Sequence, residues 1–434
     1  MDIALIASLI LFSSFIIMLF MGIPISVTLG ASSIITMMAV LPFDKSLFVA
    51  AQRMFSGIDS FSLLALPFFI LAGNIMNKGG IALKLINLAK LMGGRLPGSL
   101  AHANVVGNML FGSISGSSIA AAAAVGGTLA PVQKEEGYDP AFSASVNIAS
   151  APAGILIPPS GPLILYSLVS GGTSIAALFM AGYLPGILMG LTVMVVAYII
   201  AKKKKYPLAP RIKGIEKLWV VLDSIPSLFL IVVVIGGIAA GVFTATEGAA
   251  IAVVYSLMLS FIYRTVTLKD IPGIFIKSVM MTSIILFLIS CSSIMSWVMA
   301  FTGIPNAISE AVLQISSNKY VILLIINFIL LFVGTFMDLT PAVLIFTPIF
   351  LPIANHLGMN PVQFGIMLIF NMGIGNMTPP VGSVLFIGCG VGKVRIEEVI
   401  KPLMPFFIAL IIALMLIVFV PWISLIIPRL CGLL

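Results

Sequence analysis

Small polar residues interrupt two long apolar stretches of the 434-residue sequence. The first stretch, about residues 98–133, contains Gly112-Ser113-Ile114-Ser115-Gly116-Ser117-Ser118, and the second, about residues 320–354, contains Gly334-Thr335-Phe336-Met337-Asp338-Leu339-Thr340-Pro341. Non-helical backbone in an apolar environment is tolerated only where protein or water satisfies its polar groups, so each interruption is expected to line a site. The hydroxyl and carbonyl oxygens there, with the Asp338 carboxylate, are ligands suited to a small hard cation.

A second pair of interruptions follows the first pair along the chain. One contains Gly154 and Ile157-Pro158-Pro159-Ser160, and the other contains Gly375 and Thr378-Pro379-Pro380-Val381-Gly382. Proline frees a backbone carbonyl one turn earlier, and the helix that follows begins with unpaired NH groups. Freed carbonyls can bind a cation, and helix N-termini favour a carboxylate. Because none of the four segments contains Lys or Arg, an anionic substrate is expected to be held without a buried basic side chain.

Each segment also has a purely structural interpretation. Glycine-rich and serine-rich segments in membrane helices are often close-packing faces, although four interruptions at matching points favour a site. Asp338 has three possible roles, which the sequence leaves open: it coordinates a cation, stays protonated, or caps the second helix of its stretch. Glu247, three residues after Thr244, is expected to take part in capping a helix N-terminus.

No constellation of catalytic residues accompanies these segments. His102 and His356 stand alone, without a Ser, His and Asp set or a pair of carboxylates. No phosphate-binding GxxxxGK[ST] motif occurs. The protein is therefore not expected to be an enzyme or to use ATP directly.

Composition places these segments in a membrane. Hydrophobic residues make up 60% of the chain and charged residues 8%, whereas roughly a quarter of a soluble domain is charged. The apolar runs, of roughly 17 to 25 residues, match the length that crosses a bilayer. Lipid is therefore the main solvent of the chain. The net charge of +8 is concentrated in one polar stretch, residues 202–217, rather than on a basic face with base-reading side chains, so no nucleic-acid partner is expected.

The pattern predicts an all-α integral membrane protein with about ten spanning helices and two re-entrant helical hairpins. The predicted spans are 3–21, 24–42, 60–77, 142–170, 175–200, 220–243, 246–263, 275–300, 362–391 and 403–428. The interrupted stretches at about 98–133 and 320–354 are the hairpins, each of which enters and leaves by the same face. Residues 43–58 and 80–92 are amphipathic, and they are predicted to lie in the membrane interface or to serve as plain connections.

The distribution of basic residues gives the orientation. Seven Lys and Arg crowd residues 202–217, which predicts a basic cytoplasmic loop. With that loop inside and both hairpins re-entrant, 18 of the 22 Lys and Arg fall inside, and Lys45, Arg53, Lys319 and Arg429 fall outside. Both termini are then predicted to face outward. Threading either hairpin as a straight span would invert every later loop and spoil this asymmetry.

The two halves of the chain are predicted to be inverted repeats, because each contains an odd number of spans. Residues 1–201 form the first repeat with hairpin one, and residues 218–434 form the second with hairpin two. A shift of 221 positions aligns Pro131 with Pro352, Gly137 with Gly358, Pro140 with Pro361, Gly154 with Gly375, Pro158 with Pro379, Pro159 with Pro380 and Gly161 with Gly382. Weak internal repetition of this kind is typical of secondary transporters.

The four interrupted segments, together with Leu66-Pro67-Phe68-Phe69-Ile70-Leu71-Ala72-Gly73-Asn74, resemble motifs of the large membrane subunit of tripartite ATP-independent periplasmic (TRAP) transporters. The resemblance covers nearly the whole chain and implies an inverted-repeat, elevator-type carrier in a bacterial inner membrane, whose transport domain slides against a scaffold. It also implies two partners: a small membrane subunit, expected as a separate chain, and a periplasmic substrate-binding protein. The cargo would be a small organic acid, such as a sialic acid, another sugar acid or a C4-dicarboxylate, driven by a sodium gradient.

The resemblance further implies two or more sodium ions. Their ligands are carried over to Ser113, Ser115, Gly116, Gly154, Ile157 and Pro158 at hairpin one, and to Gly334, Asp338, Thr340, Gly375, Thr378 and Val381 at hairpin two. Ala121 departs from the family pattern, which often has threonine there. The main alternative is an ion channel or exchanger that works without partners. The acid itself is left open, because selectivity in the family rests largely on the binding protein.

Overall fold

The computed structural model describes residues 3–94, 96–207, 214–315 and 318–434. All regular structure in these residues is helical, which confirms the predicted all-α class. Three basic residues of the orientation count, Arg95, Arg211 and Lys213, lie outside the described residues.

The helices follow the two halves of the chain. The first half contains α1 (Ile3–Phe20), α2 (Ile25–Val40), α3 (Phe43–Ile58), α4 (Ala65–Lys78), α5 (Ile81–Met92), α6 (Ser99–Ser115), α7 (Ser118–Glu135), α8 (Pro140–Ser150), α9 (Ala153–Leu156), α10 (Gly161–Val169) and α11 (Ile175–Lys204). The second half contains α12 (Gly214–Ala239), α13 (Ala245–Ile262), α14 (Ile271–Thr302), α15 (Ile304–Ile315), α16 (Lys319–Gly334), α17 (Leu339–His356), α18 (Pro361–Gly375), α19 (Ser383–Gly392), α20 (Ile396–Phe419) and α21 (Pro421–Leu430). A short 3-10 turn, Phe61–Leu64, leads into α4.

Eight of the described helices are long and apolar enough to cross a membrane. The pair Pro140–Leu156 and Gly161–Val169, bent by 51°, makes a ninth candidate. Among the predicted spans, α2 is short at 16 residues, and the span expected at 362–391 is divided between α18 and α19. One of the eight is α17, which forms the return helix of hairpin two.

Both interrupted stretches form pairs of helices, as predicted. In hairpin one, α6 ends at Ser115 because Gly116 adopts a left-handed conformation with φ of 61°, which glycine reaches without steric cost. The chain then starts α7 at Ser118. In hairpin two, α16 ends at Gly334 and α17 starts at Leu339. The polar residues of each stretch therefore lie in the connection between two helices or in the helical turns next to it.

Two of the predicted boundaries are wrong. The single span at 403–428 is two helices, since α20 ends at Phe419 and α21 begins at Pro421, a residue that disfavours a helical conformation before it. The basic loop begins later than residue 202, because α11 continues to Lys204 and basic side chains are favourable in a last helical turn. On α5, Ile81 and Leu85 of the predicted apolar stripe are buried in the protein.

The helices pack in two groups, and each group takes members from both halves. The scaffold group consists of α1–α5 and α12–α15, with α4 packed against α13 and α14 and α2 against α14. The hairpin group consists of α6–α11 and α16–α21, with α7 packed against α19, α8 against α20 and α16 against α18. Within the chain, α5 connects the first group to hairpin one, and α15 connects it to hairpin two. The interrupted segments all belong to the hairpin group.

Candidate functional site

Hairpin one meets the first interrupted helix at a pair of glycines. A Cβ atom on Gly112 would lie 2.8 Å from the Cα atom of Gly154, so neither position has room for a side chain. Near this contact the Asn108 Nδ2 group donates to Oδ1 of Asn147 over 3.0 Å and to Oγ of Ser150 over 2.7 Å. All three polar residues are buried. The hairpin and the interrupted helix are thereby held at backbone distance, and the glycine pair brings the predicted ligand Gly154 beside the segment that contains Ser113.

The second half repeats this arrangement. A Cβ atom on Gly334 would lie 3.0 Å from the Cα atom of Gly375. The Asn371 Nδ2 group donates to Oδ1 of Asn327 over 2.9 Å and to the Asn327 carbonyl over 3.0 Å. The predicted ligands Gly334 and Gly375 are therefore in direct contact. In both halves, a pair of glycines in contact and a buried hydrogen bond between two asparagine side chains join the hairpin to the interrupted helix.

The first interruption exposes a backbone segment between two helices. Ile157 ends α9 with an extended conformation, and the Pro158–Pro159 peptide bond is cis. Ser160 then caps α10: its Oγ accepts from the Leu163 NH over 3.4 Å and donates to the Ile155 carbonyl. Ser117 caps α7 in the same way, accepting from the Ala120 NH over 3.2 Å. Serine caps of this type satisfy one of the free NH groups and leave others at the helix start.

The hydroxyls predicted as ligands at hairpin one are already engaged with the backbone. Ser113 Oγ donates to the Leu110 carbonyl over 2.9 Å, and Ser115 Oγ donates to the Ser117 carbonyl over 3.3 Å. Each bond uses the hydroxyl proton, so the lone pairs of the Ser113 oxygen stay available to a cation. The Ser115 oxygen also accepts from the Ser117 NH over 3.4 Å, which leaves it one lone pair. Ser113 is buried, whereas Ser115 is partly exposed.

At the second interruption, the backbone of hairpin two bonds to the interrupted helix. The Val381 NH donates to the Thr335 carbonyl over 3.1 Å, and the Gly382 NH donates to the Thr378 carbonyl over 3.2 Å. Thr378 Oγ1 donates to the Ile374 carbonyl over 2.7 Å, and the Pro379–Pro380 peptide bond is cis. Val381 thus lies beside the tip of hairpin two.

The side chain of Asp338 selects among the roles left open by the sequence. It occupies the N-cap position of α17 but makes no capping hydrogen bond. Instead its Oδ1 accepts from Nδ2 of Asn376 over 3.1 Å. A capping role for this carboxylate is therefore not observed. The sequence did not predict Asn376 as a site residue, and its position two residues before Thr378 is the one signal there that could have indicated it. By contrast, the capping box of Glu247 and Thr244 is present, with the Thr244 NH donating to Glu247 Oε2 over 2.8 Å.

A cavity of about 580 Å³ lies between the two helix groups. Both hairpin tips reach it, with Ser115, Gly116 and Ser117 from hairpin one and Asp338, Thr340 and Pro341 from hairpin two. The first interruption adds Pro159 and Gly161, and the scaffold group adds Pro24, Ile25 and Ser26 of the α2 start and Met281, Ile284, Ile285 and Leu288 of α14. Four of the twelve predicted ligands therefore line the cavity: Ser115, Gly116, Asp338 and Thr340. The other eight are not among its lining residues: Ser113, Gly154, Ile157, Pro158, Gly334, Gly375, Thr378 and Val381.

The electrostatics of the cavity come mainly from backbone. The starts of α2, α7, α10 and α17 border it, and a helix start carries a partial positive charge of roughly half a unit. Among the lining residues only Asp338 is charged, and none is Lys, Arg or His. The walls are otherwise largely apolar side chains such as Phe69 and Leu165. The helix starts and hydroxyls around the cavity can therefore bind an anion, with the carboxyl group of Asp338 on the same wall.

Interrupted helices in two halves of a membrane protein, meeting at a cavity between two helix groups, are typical of secondary transporters. The chain matches the family described as "Tripartite ATP-independent periplasmic transporter, DctM component" over residues 12–423. The chain belongs to this family, as the sequence motifs predicted.

Named relatives extend the match over nearly the full chain. It is 56% identical to a protein of Salmonella typhimurium described as "Uncharacterized protein YgiK", over 97% of each chain. It is 36% identical to the C4-dicarboxylate TRAP transporter large permease protein DctM of Rhodobacter capsulatus, over 98% of this chain and 100% of that one. It is 37% identical to the sialic acid TRAP transporter large permease protein SiaM of Vibrio cholerae, over 95% and 96% of the two chains. The two of these relatives that have a described cargo are therefore permeases rather than enzymes.

The fold itself has been seen in a solved structure. The chain is similar to the YdaH transporter of Alcanivorax borkumensis, whose crystal structure is described as revealing an unusual topology. The TM-score is 0.65 at 12% sequence identity, over 87% of this chain and 89% of that one. This likeness supports the fold and carries no information on the cargo.

Proposed function

We propose that the chain is the permease of a sodium-coupled uptake system for a small organic acid, delivered by a periplasmic binding protein. The observation that carries the proposal is the cavity of about 580 Å³ at which both hairpin tips meet the scaffold group. Such a cavity can change its access when one group moves against the other, as an elevator-type carrier requires. We place the protein in the bacterial inner membrane, with a small membrane subunit as its partner.

The cargo is proposed to be an anion because helix starts, rather than basic side chains, surround the cavity. Unpaired NH groups at the starts of α7, α10 and α17 suit a carboxylate. The named relatives carry C4-dicarboxylates and sialic acid, so the proposed class is a C4-dicarboxylate, a sialic acid or another sugar acid.

Sodium is proposed because each glycine pair brings two carbonyl-rich segments together. In hairpin one these segments hold Ser113, Ser115 and Gly116 on one side and Gly154, Ile157 and Pro158 on the other. In hairpin two Asp338 adds a charged oxygen beside Asn376, with Thr340, Thr378 and Val381 in the segments around it. Hard oxygen ligands of this kind suit a small cation, and bound sodium would offset the negative charge of Asp338 and of the cargo.

Transport by the reconstituted complex tests the proposal. Proteoliposomes that contain this chain and its small subunit are expected to accumulate a labelled acid only with the binding protein and an inward sodium gradient. Sodium is replaced by choline at the same membrane potential as the control. Equal uptake in both buffers would refute sodium coupling, and uptake without the binding protein would favour a channel or exchanger.

A further inference from the structure

A second cavity, of about 680 Å³, lies where α7 and α19 end and α8 and α20 begin. It has no lining residue in common with the cavity between the helix groups. Both halves of the chain contribute to its walls, since α7 and α8 belong to the first half and α19 and α20 to the second. A ligand in this cavity would therefore contact both repeats within the hairpin group.

Two carboxylates on the wall of this cavity are already neutralised by neighbours. Asp139 Oδ2 lies 2.7 Å from Nζ of Lys204, and Glu398 Oε1 lies 2.9 Å from the Arg395 guanidinium. These carboxylates also hold the starts of α8 and α20, because Asp139 accepts from the Ala141 NH over 3.0 Å and Glu398 accepts from the Arg395 NH over 3.3 Å. The ion pairs therefore reduce the repulsion between these two carboxylates and an incoming anion.

Two lysines on the same wall have no such neighbour. Lys134 at the end of α7 and Lys393 just after α19 line the cavity, and neither makes an ion pair within residues 3–94, 96–207, 214–315 and 318–434. With both carboxylates in ion pairs, Lys134 and Lys393 are the charged lining residues that an incoming anion could pair with. Lysine ammonium groups bind phosphate and carboxylate as point charges.

A buried hydroxyl on the cavity wall also lacks a partner. Ser143, in the first turns of α8, is 4% exposed, and its Oγ makes no hydrogen bond with the residues that the structure describes. It lines the cavity together with apolar side chains such as Val391 and Val394. Because buried polar groups nearly always have a hydrogen-bond partner, this hydroxyl is a candidate donor to a ligand in the cavity.

We propose that this cavity is a binding site for a compact, soluble organic anion. Its carboxylate or phosphate group would lie between Lys134 and Lys393 and accept a hydrogen bond from Ser143, and its short carbon body would contact the apolar wall. The lysines belong to the residues predicted to be cytoplasmic, so the ligand would come from the cytoplasm. The site is separate from the cargo cavity and does not depend on sodium coupling.

Protection of an introduced cysteine tests this site in the full chain. The three native cysteines are replaced by alanine, Val394→Cys is introduced on the cavity wall, and the chain is placed in phosphatidylcholine nanodiscs. Succinate and inorganic phosphate are the two probes. A probe at about ten times its dissociation constant should slow maleimide labelling of position 394 roughly tenfold, because the occupied site is shielded. Lys203→Cys, at an exposed position outside the cavity, is the labelling control and should be unaffected.

Substitutions of the proposed ligands complete the test. Protection should be lost in the double variant Lys134→Ala/Lys393→Ala and reduced in Ser143→Ala. It should persist in Lys401→Ala, because Lys401 is an exposed lysine of α20 that does not line the cavity. It should also persist in Asp338→Asn, which separates this site from the cargo cavity. The proposal is overturned by unchanged labelling with both probes or by protection that survives loss of both lysines. It is also overturned if phosphatidylglycerol in the nanodisc, rather than either soluble probe, protects position 394, since the ligand is then a lipid headgroup.

Discussion

Nδ2 of Asn376 donates a hydrogen bond to Oδ1 of Asp338 over 3.1 Å. This bond connects the second interrupted helix to the tip of hairpin two, at the edge of the proposed cargo cavity. It leaves the second carboxylate oxygen of Asp338 without a hydrogen bond from the residues that the structure describes. A cation at this point would therefore meet an oriented carboxylate rather than a mobile one.

Removing the charge of Asp338 is expected to weaken the sodium dependence of uptake. Asp338→Asn keeps the size of the side chain, and loss of a ligand contribution of about 1.4 kcal/mol corresponds to roughly a tenfold rise in the sodium concentration for half-maximal uptake. Asn376→Ala, which only removes the orienting bond, should give a smaller rise. Sodium titrations of proteoliposome uptake measure both, with Asp44→Asn on α3 as the control. A wild-type sodium dependence in Asp338→Asn would exclude this carboxylate as a ligand.

The glycine pairs are expected to tolerate no side chain. Gly112→Ala would place a Cβ atom 2.8 Å from the Cα atom of Gly154, and Gly334→Ala would place one 3.0 Å from the Cα atom of Gly375. Backbone atoms cannot give way as flexible side chains do, so each substitution should cost about 1–3 kcal/mol or abolish folding. Thermal unfolding of the purified variants measures the cost. Gly127→Ala, whose Cβ atom would meet nothing within 4 Å, is the matched control within α7 and should be as stable as the wild type or slightly more stable, because alanine favours a helix over glycine.

The predicted orientation can be tested with a native cysteine. Cys431 is exposed near the C-terminus, whereas Cys291 and Cys389 are buried. A membrane-impermeant maleimide should therefore label Cys431 in whole cells, because the C-terminus is predicted to face outward. With Cys431→Ala and Lys203→Cys, labelling should require lysed cells. The reverse pattern would show that the orientation is inverted.

The ion pair of Asp139 with Lys204 predicts a dependence of stability on pH. Burial raises the pKa of Asp139, but hydrogen bonds from Lys204 and the Ala141 NH outweigh it, so the pKa lies below its ordinary value. A lowered folded-state pKa contributes stability above the unfolded-state pKa of about 4, and the contribution is lost as the pH falls through the folded-state value.

Asp139→Asn isolates this contribution, because asparagine keeps the helix cap and removes the charge. Near neutral pH the wild type should be more stable by about 0.2–1 kcal/mol, as expected for a partly exposed pair. The difference should shrink as the pH falls below about 4 and vanish once the pH is below the folded-state pKa. Thermal unfolding of both proteins across this range measures it, and a difference that is constant with pH would assign the effect to something other than the carboxylate charge.

The positions of the hairpins could be predicted because their signal is local. Gly116 both ends α6 and permits the left-handed turn, and the paired prolines at Pro158–Pro159 and Pro379–Pro380 mark the interrupted helices in the sequence itself. The shift of 221 positions, which aligns Gly154 with Gly375, also predicted that these two glycines have equivalent positions in the two halves. In the structure, each contacts a glycine of the hairpin in its own half.

Side-chain partnerships were not predictable in the same way. The bond between Asn376 and Asp338 spans 38 positions, and nothing near Asn376 in the sequence shows that it faces a carboxylate. The same holds for the cavity around Lys134 and Lys393, whose walls come from opposite halves of the chain. The end of α20 was missed for a different reason: the apolar run continues through Pro421, so hydropathy alone concealed the break that the proline imposes.

The last prediction concerns Thr378, one of the proposed sodium ligands at the second interruption. Its Oγ1 donates to the Ile374 carbonyl over 2.7 Å, so the hydroxyl is oriented and its lone pairs are left for a cation. Thr378→Val keeps the shape of the side chain and removes this oxygen. Folding and assembly with the small subunit should survive, while the sodium concentration for half-maximal uptake rises by roughly threefold to tenfold, the range for loss of about 0.7–1.4 kcal/mol.

Ile157 provides the matched control for Thr378, since the shift of 221 positions pairs the two residues. Its side chain has no oxygen, so only its backbone carbonyl could contribute to the equivalent site in the first half. Ile157→Val removes one methylene group and leaves that carbonyl in place, and it should change the sodium dependence of uptake little. Sodium titrations of the two variants in the same proteoliposome preparation compare them directly. If Thr378→Val leaves the sodium dependence unchanged while Ile157→Val alters it, the second sodium site does not lie at this interruption.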